Sequence, residues 1–138
     1  MTQLAFDTSA AVPLLLRSHI AHATVRRFAA GRTPVLTAHS LAETYSVLTR
    51  LPGDARVAAA DAARLLEETF DAVLPLPASG SVTLPSVLAP LGVAGGAVYD
   101  ALVGLAARAA GVPLATRDAR ALGTYTALDV RLEVIDEK

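Results

Sequence analysis

The 138-residue sequence contains no cysteine and no tryptophan, and its only lysine is Lys138. The lack of cysteine excludes disulfide bonds and thiolate metal ligands, and it fits a reducing compartment. The N-terminus has no basic segment followed by an uninterrupted apolar run, so no signal peptide is predicted. We therefore expect a cytoplasmic protein.

Charged residues are also scarce. They make up 18% of the chain, and the net charge is −1, so bulk electrostatics do not indicate a nucleic-acid-binding protein. The most apolar stretch, residues 91–115, contains Asp100, Arg108 and several glycines. A membrane-spanning helix needs about twenty mostly apolar residues with few charges. We predict no membrane association, and interpret this stretch as a buried helix followed by a buried strand.

Hydrophobic residues make up 53% of the chain but aromatic residues only 4%, so alanine, valine and leucine must form the core. The length predicts one domain covering residues 1–138. Apolar runs predict strands at residues 3–6, 34–37, 73–76, 112–116 and 131–135, the first of them fully buried. Helical patterns lie between them, at residues 8–16, 20–30, 38–51, 55–72, 84–91, 97–110 and 119–122, and a loop is predicted at 77–81.

Strands that alternate with helices predict an α/β fold, a three-layer α/β/α sandwich with a four- to five-stranded parallel sheet. In such sheets ligands bind at the carboxyl ends of the strands. Asp7 directly follows the first predicted strand, and Asp118 follows the fourth by two residues. Asp100 opens the helix before that fourth strand, and Glu43 lies on the helix after the second. All four carboxylates are therefore within reach of one edge of the sheet.

Asp7 and Asp100 are the most unusual of these acids, because each is the only charge in a long apolar stretch. An unpaired buried carboxylate is costly unless it is neutralised, paired or bound to a metal. Structural explanations remain open: Asp7 and Asp118 as helix N-caps, Asp100 as a charge favoured by a helix dipole, and Glu43 as part of a solvated face. Four converging carboxylates would raise one another's pKa, and a hard divalent cation relieves that repulsion.

Several short motifs carry a resemblance to a known family. They are Phe-Asp-Thr-Ser at residues 6–9, Ser-Leu-Ala-Glu-Thr-Tyr-Ser-Val-Leu-Thr-Arg-Leu-Pro at 40–52, Tyr-Asp-Ala-Leu at 99–102 and Ala-Thr-Arg-Asp at 115–118. With these motifs the chain resembles the PIN-domain ribonucleases, and among them the VapC toxins of VapBC toxin–antitoxin pairs. In that family an early Asp, a Glu on the third helix, an Asp opening a late helix and an Asp after the fourth strand form the active site. They match Asp7, Glu43, Asp100 and Asp118.

The resemblance implies an endoribonuclease that depends on Mg²⁺ or Mn²⁺. Asp7, Asp100 and Asp118 would bind the metal, while Glu43 would complete the site or orient the attacking water. The hydroxyls of Thr8 and Thr116 match positions that support the metal in relatives. The resemblance further implies a homodimer, an RNA substrate and silencing by a VapB-like antitoxin.

Two arginines are candidates for RNA binding, because phosphate contacts supply most of the affinity for nucleic acid. Arg117 is next to a proposed ligand, and Arg50 lies on the helical face of Glu43. A response-regulator receiver also clusters acids in a small α/β domain, but it needs a lysine near the last strand, and Lys138 does not meet that need. A catalytically inactive PIN-like module that binds RNA or a protein remains the alternative.

Overall fold

A five-stranded parallel sheet forms the middle of the computed structural model, which describes residues 1–136. The strands are arranged in the order β3-β2-β1-β4-β5. Their bounds are β1 Gln3–Phe6, β2 Thr33–Thr37, β3 Ala72–Leu74, β4 Leu114–Thr116 and β5 Leu132–Val134. The central strand β1 therefore lies between β2 and β4, so that its last residue is close to the ends of both.

Eight α-helices connect and cover the strands. They are α1 Thr8–Leu15, α2 His22–Ala29, α3 Ala38–Thr49, α4 Ala59–Thr69, α5 Ala78–Val82, α6 Leu84–Leu88, α7 Ala97–Ala110 and α8 Leu122–Ala127 among the described residues. Short 3₁₀ helices occur at Gly53–Ala55, Ala89–Leu91 and Ala119–Ala121. None of these helices, within residues 1–136, is long and apolar enough to cross a membrane.

Two hydrophobic cores form because successive strand residues point to opposite faces of the sheet. Leu4 and Phe6 of β1 pack on one face with buried residues of α1, α2, α3 and α4. Ala5, between them, packs on the other face with buried residues of α7 and α8. Helices thus cover both faces, which confirms the predicted three-layer α/β/α sandwich and its parallel sheet.

Prolines account for two of the shifted strand boundaries. The third strand was predicted at residues 73–76, but β3 ends at Leu74, because Pro75 and Pro77 cannot donate hydrogen bonds to a sheet. The fourth was predicted from residue 112, but the Val112 amide instead donates to the Ala107 carbonyl and completes the end of α7. Strand β4 begins only after Pro113, at Leu114.

Three helical predictions were wrong in extent or type. The long helix predicted at residues 55–72 is shorter, since α4 runs from Ala59 to Thr69. The loop predicted at 77–81 contains the short helix α5. The single turn predicted at 119–122 is followed by α8, which extends to Ala127. The missed helix α8 turns out to matter for the site.

Candidate active site

Asp7 lies at the carboxyl end of β1 and is also the N-cap of α1. Its Oδ1 accepts hydrogen bonds from the Ala10 amide at 3.2 Å and from the Ser9 hydroxyl at 2.6 Å. The alternative interpretation of Asp7 as a helix N-cap is therefore correct. The side chain is only 5% exposed. A cap with a charge this deeply buried still needs further compensation.

Tyr125 provides part of that compensation from α8. Its hydroxyl donates to Asp7 Oδ2 at 2.9 Å, and the side chain is only 1% exposed. Tyr125 was not predicted as a site residue because α8 was not predicted. The available signal was weak: a tyrosine in an apolar segment after the last acidic motif, whose hydroxyl must find a partner if it is buried.

Ser9 links the ends of β1 and β4. Its hydroxyl accepts a hydrogen bond from the Arg117 amide at 2.8 Å and lies 3.4 Å from the Thr116 hydroxyl. Its carbonyl accepts from the Arg117 guanidinium at 3.1 Å. The Thr116 hydroxyl in turn accepts from the Asp118 amide at 3.1 Å. These bonds hold Asp7 and Asp118 at the same edge of the sheet.

The hydroxyl that donates to Asp7 is that of Ser9, whereas Thr8 was predicted as a supporting hydroxyl of the metal site. The Thr8 Oγ1 atom is buried and has no hydrogen-bond partner among residues 1–136. An unpaired buried hydroxyl is unfavourable in the protein alone. The Thr8 hydroxyl is therefore an oxygen next to Asp7 in the chain that no described residue binds, and it is available as a ligand.

Asp118 caps the 3₁₀ turn that follows it. Its Oδ1 accepts from the Arg120 amide at 3.0 Å, and the Arg120 Nε atom lies 3.5 Å away. The alternative interpretation of Asp118 as a cap is thus also correct. The cap hydrogen bond is made by Oδ1 alone, and the Asp118 side chain is still partly exposed to solvent. A helix cap and a metal ligand are compatible roles for a carboxylate with two oxygens.

Asp100 is in the first turn of α7, and the neighbouring charged groups affect the pKa of its carboxyl group. Its pKa is raised by burial, and then by repulsion from Asp118, Asp7 and Glu43, which Arg120 partly offsets. The pKa of Asp7 is raised by burial and lowered in part by its hydrogen bonds. All four predicted acids therefore interact at one place.

Tyr125 experiences the same negative field. Its pKa is raised by burial, then by the Asp7 carboxylate, and further by Asp100 and Asp118. The phenol consequently stays protonated and remains a hydrogen-bond donor to Asp7.

Glu43 reaches the site from α3, with its side chain 44% exposed. Its Oε2 lies 3.5 Å from Nε2 of His39, one helical turn earlier. At this distance the two side chains are in contact without forming a hydrogen bond. The His39 ring also stacks on Tyr99, the residue before Asp100. Glu43 and Asp100 are thus linked through two neighbouring rings.

The two arginines proposed for RNA binding differ in position. Arg117 lies beside the acids, where its guanidinium binds the Ser9 carbonyl. Arg50 is at the other end of α3. It lies seven residues beyond Glu43, about 10 Å along the helix axis. The structure therefore brings Arg117 to the carboxylates and leaves Arg50 at a distance.

The donor set has the chemistry that a hard divalent cation requires, because its members are carboxylate and hydroxyl oxygens. Within residues 1–136, however, no three acidic or histidine side chains are arranged to enclose an ion by themselves. Mg²⁺ usually keeps several waters and takes only one or two protein carboxylates together with substrate phosphate oxygens. The oxygen donors, the mutual repulsion at Asp100 and the unpaired Thr8 hydroxyl fit such an ion.

Comparison with known proteins decides the family. The family model of the PIN domain matches residues 4–125. The chain belongs to the PIN-domain family. It is 56% identical over 131 residues to "Ribonuclease VapC27" of Mycobacterium tuberculosis, a match that covers 95% of this chain and 96% of that protein. The predicted PIN-domain family and its VapC branch of ribonucleases are confirmed.

Solved structures show the same fold at lower sequence identity. The crystal structure of VapC20 from M. tuberculosis, described as a Sarcin-Ricin loop cleaving toxin, has a TM-score of 0.66 and 23% identity over 92% of this chain and 95% of that one. VapBC-5 from the same organism, described as a member of the VapBC family of toxin–antitoxin systems, has a TM-score of 0.58 and 20% identity over 98% of both chains. At these identities the likeness establishes the fold alone.

Proposed function

We propose that this PIN-domain protein is the toxin of a VapBC-type toxin–antitoxin pair and acts as a Mg²⁺- or Mn²⁺-dependent endoribonuclease. The observation that carries the proposal is that Asp7 and Asp118 lie at the ends of neighbouring strands and are joined through Ser9 and Thr116. Asp100 and Glu43 complete this group of carboxylates, and repulsion among them raises the pKa of Asp100. Repulsion among these carboxylates opposes folding unless a cation offsets it. Such clusters of perturbed acids are typical of functional sites. The relationship to VapC ribonucleases supplies the reaction class.

In this proposal Asp7, Asp100 and Asp118 hold the metal. A bound divalent ion supplies charge stabilisation at the scissile phosphate and a water with a lowered pKa. Ser9 and Tyr125 fix the two oxygens of Asp7, so that the carboxylate needs little reorganisation on binding. Glu43, the more exposed acid, is placed to orient the attacking water and to accept its proton.

Arg117 and Arg50 are proposed to bind RNA at different distances from the scissile bond. Arg117 is next to Asp118 in the chain, where its positive charge would offset the repulsion between an RNA phosphate and the carboxylates. Arg50 is exposed at the end of α3 and is placed to contact the backbone farther along the strand. Thr8 and Thr116 are proposed as supporting hydroxyls of the metal site.

A VapB-like antitoxin is the proposed protein partner, supported by the VapBC-5 relative, which is described as part of a toxin–antitoxin system. We further propose that the chain forms a homodimer, as the family resemblance implies. Size-exclusion chromatography with light scattering tests the dimer. Co-expression with the adjacent upstream reading frame tests the antitoxin, which should co-purify and suppress cleavage.

Cleavage of single-stranded RNA by the purified protein tests the enzymatic proposal. We expect cleavage with Mg²⁺ or Mn²⁺, none with EDTA, and a loss of at least about 100-fold in Asp7→Asn and Asp100→Asn, because losing a ligand costs at least as much as losing its supporting residues. Glu67→Gln, at an exposed acid of α4, is the matched control and should retain full activity. Cleavage that survives EDTA or Asp100→Asn would overturn the proposal.

Calorimetry with Mn²⁺ separates a nuclease from an inactive binding module. A site that binds Mn²⁺ in the wild type, but not in Asp100→Asn, supports the nuclease. Binding of RNA by a wild-type protein that neither binds Mn²⁺ nor cleaves would favour the inactive PIN-like module.

A further inference from the structure

An exposed aromatic pair lies between two of the site acids. The rings of Tyr99 and His39 are stacked, with centroids 5.5 Å apart and planes inclined by 16°. Tyr99 directly precedes Asp100 on α7, and His39 is one turn before Glu43 on α3. The two rings therefore bridge the helices that carry these two carboxylates.

Core packing does not explain the position of Tyr99. Its side chain is 56% exposed, whereas Phe6, Phe70 and Tyr125 are buried in the interior. One face of the ring is covered by His39, and much of the remainder faces solvent. His39 also contacts Glu43, so the Tyr99 ring packs on a residue that lies between the two helices. The result is a pre-oriented, solvent-facing aromatic surface beside the carboxylates.

We propose that Tyr99, supported by His39, is a stacking surface for an unpaired RNA base adjacent to the scissile phosphate. The inference rests on the proposed function, since it concerns the substrate of that same site. Unstacked bases of single-stranded RNA bind aromatic side chains in this way, whereas bases inside a duplex are not accessible. Stacking tolerates any base because every base has a π-face, so it selects for single strands rather than for sequence.

The absence of tryptophan from the chain gives a direct readout. Tyr99→Trp introduces a single indole at the proposed surface, and stacking on a base should quench its emission. The experiment uses an Asp118→Asn background in Mg²⁺ to prevent cleavage. The probe is a randomised single-stranded RNA of about 12 nucleotides, compared with a duplex of the same length. We expect quenching by the single strand and little by the duplex.

Affinity provides a second, independent measurement. In the same background, Tyr99→Ala should weaken binding of the single strand by about 5- to 150-fold, the range measured for loss of one stacked base. Tyr99→Phe keeps the ring and should remain within about twofold of the parent. Tyr45 is the matched control: it is also an exposed tyrosine on a helix, but it lies on α3 and lines an apolar groove with Leu66 and Phe70. Tyr45→Ala and Tyr45→Trp should show neither effect.

The outcomes separate this inference from the proposed function. If the otherwise unaltered wild type cleaves RNA while Tyr99→Trp shows no quenching and Tyr99→Ala binds normally, the stacking role is overturned and the nuclease stands. If single-stranded RNA quenches Tyr99→Trp but the wild type cleaves nothing, the nuclease proposal fails and the stacking role stands. Equal quenching by duplex and single strand also overturns the inference. Should Tyr99→Ala fold poorly, the Phe and Trp variants still decide the question.

Discussion

The hydroxyl of Tyr125 donates a hydrogen bond of 2.9 Å to Oδ2 of Asp7, across 118 positions of sequence. Ser9 and the Ala10 amide bind the other oxygen of the same carboxylate. Both oxygens are thereby oriented by groups that are themselves fixed in the fold. Supporting contacts of this kind are usually as important to a metal ligand as the geometry of the ligand itself.

Tyr125→Phe should lower cleavage by about 10- to 100-fold, because Asp7 loses the donor that orients Oδ2. The ring and its packing are retained, but the buried Oδ2 of Asp7 loses its donor, so the free energy of unfolding should fall by about 1–3 kcal/mol. The measurement is kcat together with the Mn²⁺ concentration that gives half-maximal activity, which should rise. Tyr45→Phe removes an exposed hydroxyl from α3 and serves as the control. Wild-type kinetics in Tyr125→Phe would contradict the orienting role.

Two adjacent hydroxyls should respond differently to removal. Ser9→Ala deletes a donor to Asp7 and an acceptor for the Arg117 amide, and should destabilise the protein by about 1–3 kcal/mol. Thr8→Val replaces a buried hydroxyl that has no described partner and should be neutral or stabilising in metal-free protein. Urea unfolding in EDTA compares the two variants. A larger loss in Thr8→Val than in Ser9→Ala would contradict the hydrogen-bond network.

Asp100→Asn should stabilise the metal-free protein, with a distinct pH dependence. Folding raises the pKa of Asp100, so its carboxyl favours the folded state while protonated, and that contribution is lost as pH rises through the folded-state pKa. Wild type and variant should therefore melt alike below the ordinary Asp pKa of about 3.9 and diverge as pH increases toward neutral, the variant melting higher. Thermal melts in EDTA across this range give the result.

Divalent ions should reverse that order at neutral pH. Mn²⁺ is expected to raise the melting temperature of the wild type and to have little effect on Asp100→Asn, since ligands stabilise the state that binds them. A variant that is less stable than the wild type in EDTA at pH 7 would show that Asp100 is not repelled by its neighbours.

Gly104 should be far less tolerant of alanine than Gly123. A Cβ atom at Gly104 would lie 2.9 Å from Val130 Cγ2 and 3.1 Å from the Tyr125 ring, whereas at Gly123 nothing lies within 4 Å. Gly104→Ala should cost about 1–3 kcal/mol through overpacking. Gly123→Ala, also within a helix, should gain about 0.5–1 kcal/mol. Thermal unfolding compares the two. Because Tyr125 must move in Gly104→Ala, cleavage should fall as well, while Gly123→Ala stays active.

The parts of the fold that follow from local pattern were predicted from the sequence. Apolar runs located all five strands, and strand ends located Asp7 and Asp118, because a parallel sheet brings its carboxyl ends to one edge. Asp100 was recognisable as the only charge between Val93 and Ala107. These inferences need only neighbouring residues and the general geometry of α/β sheets.

The parts that depend on distant contacts were missed. Helix α8 is six residues long and contains Gly123 and two threonines, which are weak helix formers, so tertiary packing must stabilise it. Its partner at the site, Asp7, is at the other end of the chain. Likewise, Ser9 contacts Thr116 and Arg117, which are 107 and 108 positions away, and no local pattern predicts such contacts.

The central strand β1 is synthesised early, but its neighbour β4 is synthesised late. A nascent chain that has emerged only as far as β3 contains Asp7 and Glu43 but lacks β4, Asp118 and Tyr125. Elongation at about 5–20 residues per second leaves several seconds in which this incomplete chain is exposed. The four carboxylates can therefore come together only after the ribosome has synthesised Asp118, and Tyr125 can orient Asp7 only later still.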